Sequence, residues 1–505
     1  MSAPAQDVVA RHLAGRRWRM LIGGERAEGA GEATRAAVDP STGATVAHVP
    51  EAAPADVGRA VEAARAAARG WAALGLRARI DHLDRLAELL REHAEELAVI
   101  ESIDTGNPLP SARRDLAFAL AHLRDWPAFA TALEGRVLTD GPALSFVSYS
   151  PYGVVARITA FNHPLLFAVN TAILALLAGN AIVLKSSELT PLSTLVLGEL
   201  MAQAMPAGVV NVVSGGPEVG QALVAHPAIK RISFVGAVAT GLRVQETAAR
   251  SGTVKHVTLE LGGKNAMVVM PDADLEAVID AAMLGMSLEV SQGQSCQATS
   301  RILIHERLYD DFVAAAAARL RTYRIGPAYD ERSQLGPLIS AAAVERVAGA
   351  VEAGVAEGAT LVAGGGRPAG VPAGGFYLEP ALLADVDGGM RVAREEIFGP
   401  VMCAMPWRDY EAMIELANGV DLGLSASVWS ENVHLALATA QRLEAGYVWV
   451  NDTNRHYLGA PYGGVKNSGV GREESPEELL SYLEVKSTHV RLADPAARLG
   501  ALTGR

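Results

Sequence analysis

Cysteine is nearly absent from this chain: two residues among 505, at positions 296 and 403. Two thiols so far apart exclude a disulfide framework, and no CxxC or HExxH spacing offers a metal site, so no metal is expected and a reducing cytoplasmic setting fits. Positive charge is also scarce, with 44 Lys and Arg against 56 Asp and Glu and a formal charge of -12 at pH 7. Binding to nucleic acid or to an anionic membrane needs clustered cations, so neither partner is expected. The short cluster Arg16, Arg17 and Arg19 reads as a solvated terminal face. Long hydrophobic runs are missing too. The opening MSAPAQDVVARHLAGRRWRM lacks the apolar core of a secretory signal. The longest apolar stretch, Thr171 to Leu184, is broken by Gly179 and Asn180. It falls short of the ~18 residues a membrane-spanning helix needs, so no export and no span are expected.

What is present is the composition of a compact enzyme: 50% apolar residues, 20% charged and 50 glycines. A chain this long exceeds one hydrophobic core, so two or three domains with a cleft between them are expected. Gly and Pro place turns at Ile22-Gly23-Gly24-Glu25 and from Asp39 to Gly43. Helical spacing predicts a helix over Ala55 to Leu74 and one continuous helix over Arg77 to Ile100, with Leu83, Leu86, Leu90 and Leu97 on one face.

From Tyr152 onward, short β-branched runs alternate with helices. Strands are predicted ending at Ile158, over Ala181 to Leu184, Val209 to Val213 and Arg231 to Val235. Thr190 is expected to cap the helix after Pro191. Strand and helix in alternation imply a parallel sheet with right-handed crossovers, the usual scaffold for a dinucleotide. A second series follows Gly262. It has strands at Met267 to Met270, Ile302 to His305, Val401 to Met405, Ala426 to Trp429 and Tyr447 to Val450. Its helices run through about Leu288, to about Tyr323 and over Ala341 to Glu357. The tail after Asp494 is expected to fray.

Cys296 lies in the polar turn Ser291-Gln292-Gly293-Gln294-Ser295-Cys296. A lone cysteine is commonly buried and inert, but a core thiol normally sits inside an apolar element. Glu260 lies in the middle of an apolar strand that runs into the turn of Gly262 and Gly263, where a carboxylate is costly unless paired or used. It is either ion-paired to Lys264 or Lys255 or a general base aimed into a cleft. Asn162 is either a turn former or an amide that, with the Cys296 N–H, holds the oxyanion formed when a thiolate attacks a carbonyl. Gly236 to Gly241 follows a strand and opens a helix, where backbone amides can meet a pyrophosphate, although it is not a GxGxxG fingerprint. Lys185 and Glu188 follow a strand. They are either an exposed ion pair or ligands of ribose hydroxyls.

Taken together, these segments resemble the aldehyde dehydrogenase superfamily from about Ile22 to Lys486. The resemblance rests on Leu259-Glu260-Leu261-Gly262-Gly263-Lys264, on Gln292-Gly293-Gln294-Ser295-Cys296, and on a C-terminal set. That set is Glu396-Ile397-Phe398-Gly399-Pro400, Val448-Trp449-Val450-Asn451 and Pro461-Tyr462-Gly463-Gly464-Val465-Lys466-Asn467-Ser468-Gly469. It implies an α/β fold with a Rossmann-like cofactor domain over residues 1–128 and 152–261 and a second α/β catalytic domain over 262–470. An oligomerisation β-flap and tail would occupy 129–151 and 471–505. The implied reaction is oxidation of an aldehyde to a carboxylic acid with NAD through a thiohemiacetal and a thioester on Cys296. Glu260 would activate water, Asn162 would hold the oxyanion and Glu473 would relay protons.

The resemblance also implies that Ile158, Phe161, Lys185, Glu188, Gly215, Gly236, Gly241, Leu261, Glu396 and Phe398 bind the cofactor. His163, Asn170, Glu289, Ser295, Gln297, Arg455, Tyr457 and Tyr462 would line the aldehyde pocket, a polar set that suits an oxygenated, aromatic or semialdehyde substrate. Glu188 should repel a 2′-phosphate, favouring NAD over NADP. Members pair through the flap, implying a homodimer or homotetramer. Ser186 and Ala237 depart from the usual Pro and Ser, and the second change removes one phosphate hydrogen bond. Ser291 replaces a common Asn and Thr171 a Lys found in some members. Three other readings stand beside this one: a coenzyme A-acylating dehydrogenase, which has no need of Glu260; a cysteine hydrolase, which needs a histidine base such as His305; and a silent scaffold.

Overall fold

The computed structural model describes residues 11–140 and 143–492 together with positions 498, 499 and 502. Most of the tail after Asp494 lies outside the described residues.

Two sheets organise the chain. The first runs in the order Glu25–Ala27, Met20–Ile22, Val210–Val213, Ala181–Lys185, Val154–Ile158, Arg231–Val235, His256–Glu260, Gly469–Val470. Its five central strands are parallel, as their near-continuous burial requires. Alternate residues feed opposite faces: Ile182 and Leu184 join one apolar cluster, Ala181 and Val183 the other. From Val154–Ile158 the chain first adds strands on one side and then crosses to add Arg231–Val235 on the other. That reversal leaves a crevice outside the carboxyl ends of these two strands, where open α/β sheets take ligands.

The second sheet has the order Thr360–Ala363, Ala381–Ala384, Val401–Trp407, Arg301–His305, Ala266–Val269, Ser425–Trp429, Tyr447–Val450, parallel except at its first pair. The chain passes from the carboxyl end of His256–Glu260 straight into Ala266–Val269. The leaving edge of one sheet therefore faces the entering edge of the other. Arg136–Asp140, Ala143–Pro151 and Leu483–Arg491 form a separate three-stranded sheet in which the C-terminal strand pairs with Ala143–Pro151 over nine residue pairs.

Three local expectations need correction, and one long helix is unforeseen. The helix predicted over Arg77 to Ile100 is two, Gly75–Glu92 and Ala94–Thr105, broken at His93, whose ψ is 15° and whose imidazole turns to Glu96 at 2.9 Å. Apolar spacing alone does not register a break that keeps both faces buried. The helix expected through Leu288 stops at Gly285, because Ser287 takes a left-handed φ of 55° before the short turn Leu288–Ser291. Thr190 caps nothing: Pro191 holds the cap position of Leu192–Ala204, and the Leu192 amide donates to Asp104 Oδ2, 88 positions earlier, at 2.7 Å. The long helix Leu109–Thr131, with Pro127 inside it, has no counterpart in the sequence reading.

Candidate active site

A cleft of about 920 Å³ opens at the crevice of the first sheet. Its floor is Ile158, Phe234, Val235 and Gly236 at strand ends; Lys185 and Glu188 stand at one side; Glu396, Phe398 and Arg346 come from the second domain. Cys296, Glu260 and Asn162 close one end. The helix Val238–Arg250 starts at Ala237 without any side-chain cap, and Ala237 and Thr240 line the cleft. Gly236 has no room for a side chain, because a Cβ would press on the Phe234 ring.

Lys185 is only 4% exposed, with its ammonium 2.9 Å from Ser186 O and 3.7 Å from Glu188. The exposed-pair reading fails for it. Burial lowers its pKa, against the opposing pull of Glu188. Glu396 receives the Gly263 amide at 3.2 Å, and burial raises its carboxyl to about 7. Phe398 adopts a left-handed φ of 52° that aims its ring at Phe161, with centroids 5.6 Å apart at 73°. Such strain persists only where the surroundings impose it, and Arg346 ties the carbonyls of Ile397 and Phe398.

Cys296 is half-buried on the loop between Leu288–Ser291 and Arg301–His305, whereas Cys403 lies fully buried inside a strand with its Sγ on Val392 O. Asn265 fastens the Cys296 loop: its Nδ2 donates to Cys296 O at 2.8 Å and Ala298 O at 3.0 Å, and its Oδ1 accepts from Ser425 N. None of the described residues accepts a hydrogen bond from the Cys296 amide. Burial, with Glu396 and Glu260 adding to it, pushes the thiol up to about 12, and a hydrogen bond with the Tyr462 hydroxyl acts the other way. These surroundings favour the thiol form of Cys296.

Glu260 is 5% exposed, and neither carboxylate oxygen has a hydrogen-bond partner. The ion-pair reading is excluded, since Lys255 spends its ammonium on the carbonyls of His226 and Ile229 and Lys264 Nζ has no partner. Burial raises Glu260 well above the ordinary carboxylate range; Glu473 adds to the rise and Arg472 opposes it. Glu473 lies behind it, its backbone paired with Tyr462 and its Oε1 3.9 Å from the buried guanidinium of Arg157.

Asn162 is buried at the head of Pro164–Leu177, its carbonyl held by Asn107 Nδ2 at 2.7 Å. His163 caps that helix and reaches Asp115 Oδ2 at 2.6 Å. Three expected cofactor residues lie off the cleft. Gly215, at φ 145°, has no room for a Cβ beside Val219; Gly241 packs on Leu261; and the Leu261 amide goes to Ser468 O at 2.9 Å. Of the expected pocket residues, Asn170 buries an unpartnered Oδ1 on the helix that carries Asn162. Ser295 and Gln297 flank the thiol in sequence and Tyr462 bonds it. Arg455 and Tyr457 face outward, both engaged with Asp452. Asn107, Asn265, Arg346 and His456 are absent from the sequence reading, because each acts on a partner distant in the chain.

A thiol, an unpartnered carboxylate and a buried amide thus meet at the end of a dinucleotide-type crevice. The aldehyde dehydrogenase family model matches residues 27–488. The chain belongs to the aldehyde dehydrogenase family. An aldehyde dehydrogenase of Talaromyces stipitatus is 39% identical over 93% of this chain and 92% of its own length. A hydroxyisobutyraldehyde dehydrogenase of Mycolicibacterium austroafricanum is 40% identical over 95% of each. The aldehyde dehydrogenase of Bacillus cereus, solved as an NAD+ complex, superposes with a TM-score of 0.92 at 36% identity, covering 98% of this chain and 99% of that one. The protein is therefore an enzyme of the aldehyde-oxidising class, with the two-sheet α/β fold of that family. Among the described residues no helix is long and apolar enough to cross a membrane.

Proposed function

We propose that this enzyme oxidises a polar aldehyde to its carboxylic acid with NAD, using Cys296 as nucleophile and Glu260 as base. The observation that carries the reading is the pairing of a half-buried thiol with a buried carboxylate that has no partner of its own. A base kept free of ion pairs is costly to a fold and useful to a reaction. NAD fits the cleft: Lys185 and Glu188 would hold one ribose, Gly236 and the uncapped amides after Ala237 the pyrophosphate, Glu396 and Phe398 the nicotinamide end. When bound, NAD supplies the hydride acceptor.

The protein's own steps follow from the site. Cys296 loses its proton toward Glu260 and attacks the carbonyl carbon, giving a thiohemiacetal whose oxyanion meets Asn162 and the Cys296 amide. After hydride loss the thioester remains on Cys296. Glu260 then takes a proton from water, the hydroxide adds to the thioester carbon, and the carboxylic acid leaves as the thiol reforms. Glu473, behind Glu260, passes the proton outward. His305 caps a helix at the far end of the strand that follows the Cys296 loop, which disfavours a histidine-based hydrolase. We further assign a homodimer or homotetramer built through the flap, the domain division at residues 128, 151, 261 and 470, and a cytoplasmic setting in which Cys296 stays reduced.

The test follows NADH absorbance with purified protein, NAD or NADP, and alkyl, aromatic and carboxylated aldehydes, with and without coenzyme A. NADH formation without coenzyme A, abolished in Cys296→Ala while NAD binding persists, supports the reading. A strict need for coenzyme A, or Cys296→Ala turning over like wild type, overturns it.

A further inference from the structure

Tyr462, which bonds the Cys296 thiol, carries the His456 ring with centroids 4.4 Å apart, and the imidazole also stacks on Tyr447 at 16°. His456 Nε2 lies 2.6 Å from Oε1 of Gln297, the residue after the nucleophile. His456 Nδ1 lies 2.9 Å from Glu474 Oε2. The direction of every bond in this chain is fixed from one end. A backbone carbonyl only accepts, so Leu284 O, 3.1 Å from Asn454 Nδ2, settles which end of the Asn454 amide is NH2. Asn454 Oδ1 therefore accepts from Gln297 Nε2. Gln297 Oε1, an acceptor, faces His456 Nε2, so the imidazole donates to the residue beside the thiol while its Nδ1 meets the Glu474 carboxylate.

We propose that His456 is a positioning residue that clasps Gln297 beside Cys296, braced by Glu474 and by the Tyr447 and Tyr462 rings, and so governs aldehyde binding. The chain ties four separate segments: the end of Leu275–Gly285, the nucleophile loop, the loop carrying Asn454 and His456, and the Glu474 turn. Asn454 and Glu474 both hold left-handed φ values, 58° and 60°, and the Glu474 amide is pinned to Glu478 Oε2 at 2.8 Å.

The inference rests on Cys296 as nucleophile, so the experiment has an arm independent of activity. The full-length enzyme is labelled with 15N-histidine and the His456 signal assigned by its loss in His456→Phe. Gln297→Leu should shift the His456 Nε2 signal by removing its acceptor; an unmoved Nε2 signal overturns the proposal. In kinetics, His456→Phe keeps a stacking ring but removes the donor to Gln297. Its aldehyde KM should rise about 2- to 10-fold, the loss of one hydrogen bond, with kcat and the KM for NAD little changed. Adding His456→Phe to Gln297→Leu should cost nothing further. An unchanged aldehyde KM, or a parallel loss in both substrates, overturns the clasp. Wild type that forms no NADH would remove the role of Cys296, and the 15N result would still decide the His456–Gln297 bond.

Discussion

Glu260 and Cys296 carry opposite burdens from the same cause. Burial raises both, leaving an acid that resists ionisation and a thiol pushed up to about 12. For Glu260 the sign follows from its proposed role: with the base form as the working one, turnover limited by thioester hydrolysis should rise with pH into a range well above that of a free carboxylate. Glu260→Gln should leave a burst of NADH, cut steady turnover by about 10²-fold or more and flatten that limb, measured by stopped-flow and steady-state absorbance across pH. For Cys296, alkylation by iodoacetamide in the absence of NAD should accelerate about tenfold per pH unit from 7 to 9, because the thiolate fraction does so far below the pKa. A plateau near neutrality would show a preformed thiolate. Mass spectrometry separates this label from the fully buried Cys403.

At the level of elements, the site hangs on helix heads. Glu101, inside Ala94–Thr105, accepts the Leu165 amide at 3.1 Å and so holds the first turn of the helix that follows Asn162. It is fully buried, and burial lifts its carboxyl to about 7 from a usual 4.5. Between those two values the unfolded chain sheds a proton that the folded chain keeps. The fold is therefore stabilised by protonated Glu101 at low pH and loses that stability as pH rises through the window. Glu101→Gln keeps an acceptor for Leu165 and cannot ionise. It should match wild-type Tm at pH 5 and exceed it at pH 7.5, by roughly 1 to 3 kcal/mol of stability, in scans at one heating rate. Equal pH dependence in both proteins would place Glu101 outside this account. Asp104, 88 positions before Leu192 yet bonded to it, does the same for Leu192–Ala204.

For the whole molecule, the flap is the feature that one chain leaves unfinished. Arg136–Asp140 is exposed along its full length, with Val137 at 60% and Leu138 at 55%. An exposed edge strand with apolar residues on both faces is a template for pairing with another chain. The proposed dimer or tetramer is checked by light scattering after size exclusion. Val137→Lys and Leu138→Lys point to opposite faces of the strand, so at least one should lower the mass at micromolar concentration. If both variants keep the wild-type mass, assembly runs through another surface.

Chain order and chemical type were enough to predict the parallel sheets, the Gly-Gly turn after Glu260 and the polar loop of Cys296, because strand period, turn chemistry and motif spacing are local properties. The strands at Arg231 to Val235 and Tyr447 to Val450 stand where their residues placed them. Only the tertiary structure decided what each polar side chain meets. Thr190 gave way to Asp104 as a cap, and Lys185 proved buried. Gly215 and Gly241 serve close packing, and Glu260 has no ion-pair partner. Asn265 and His456 came into view the same way, since a hydrogen bond is set by distance and direction in space and leaves no period in the sequence.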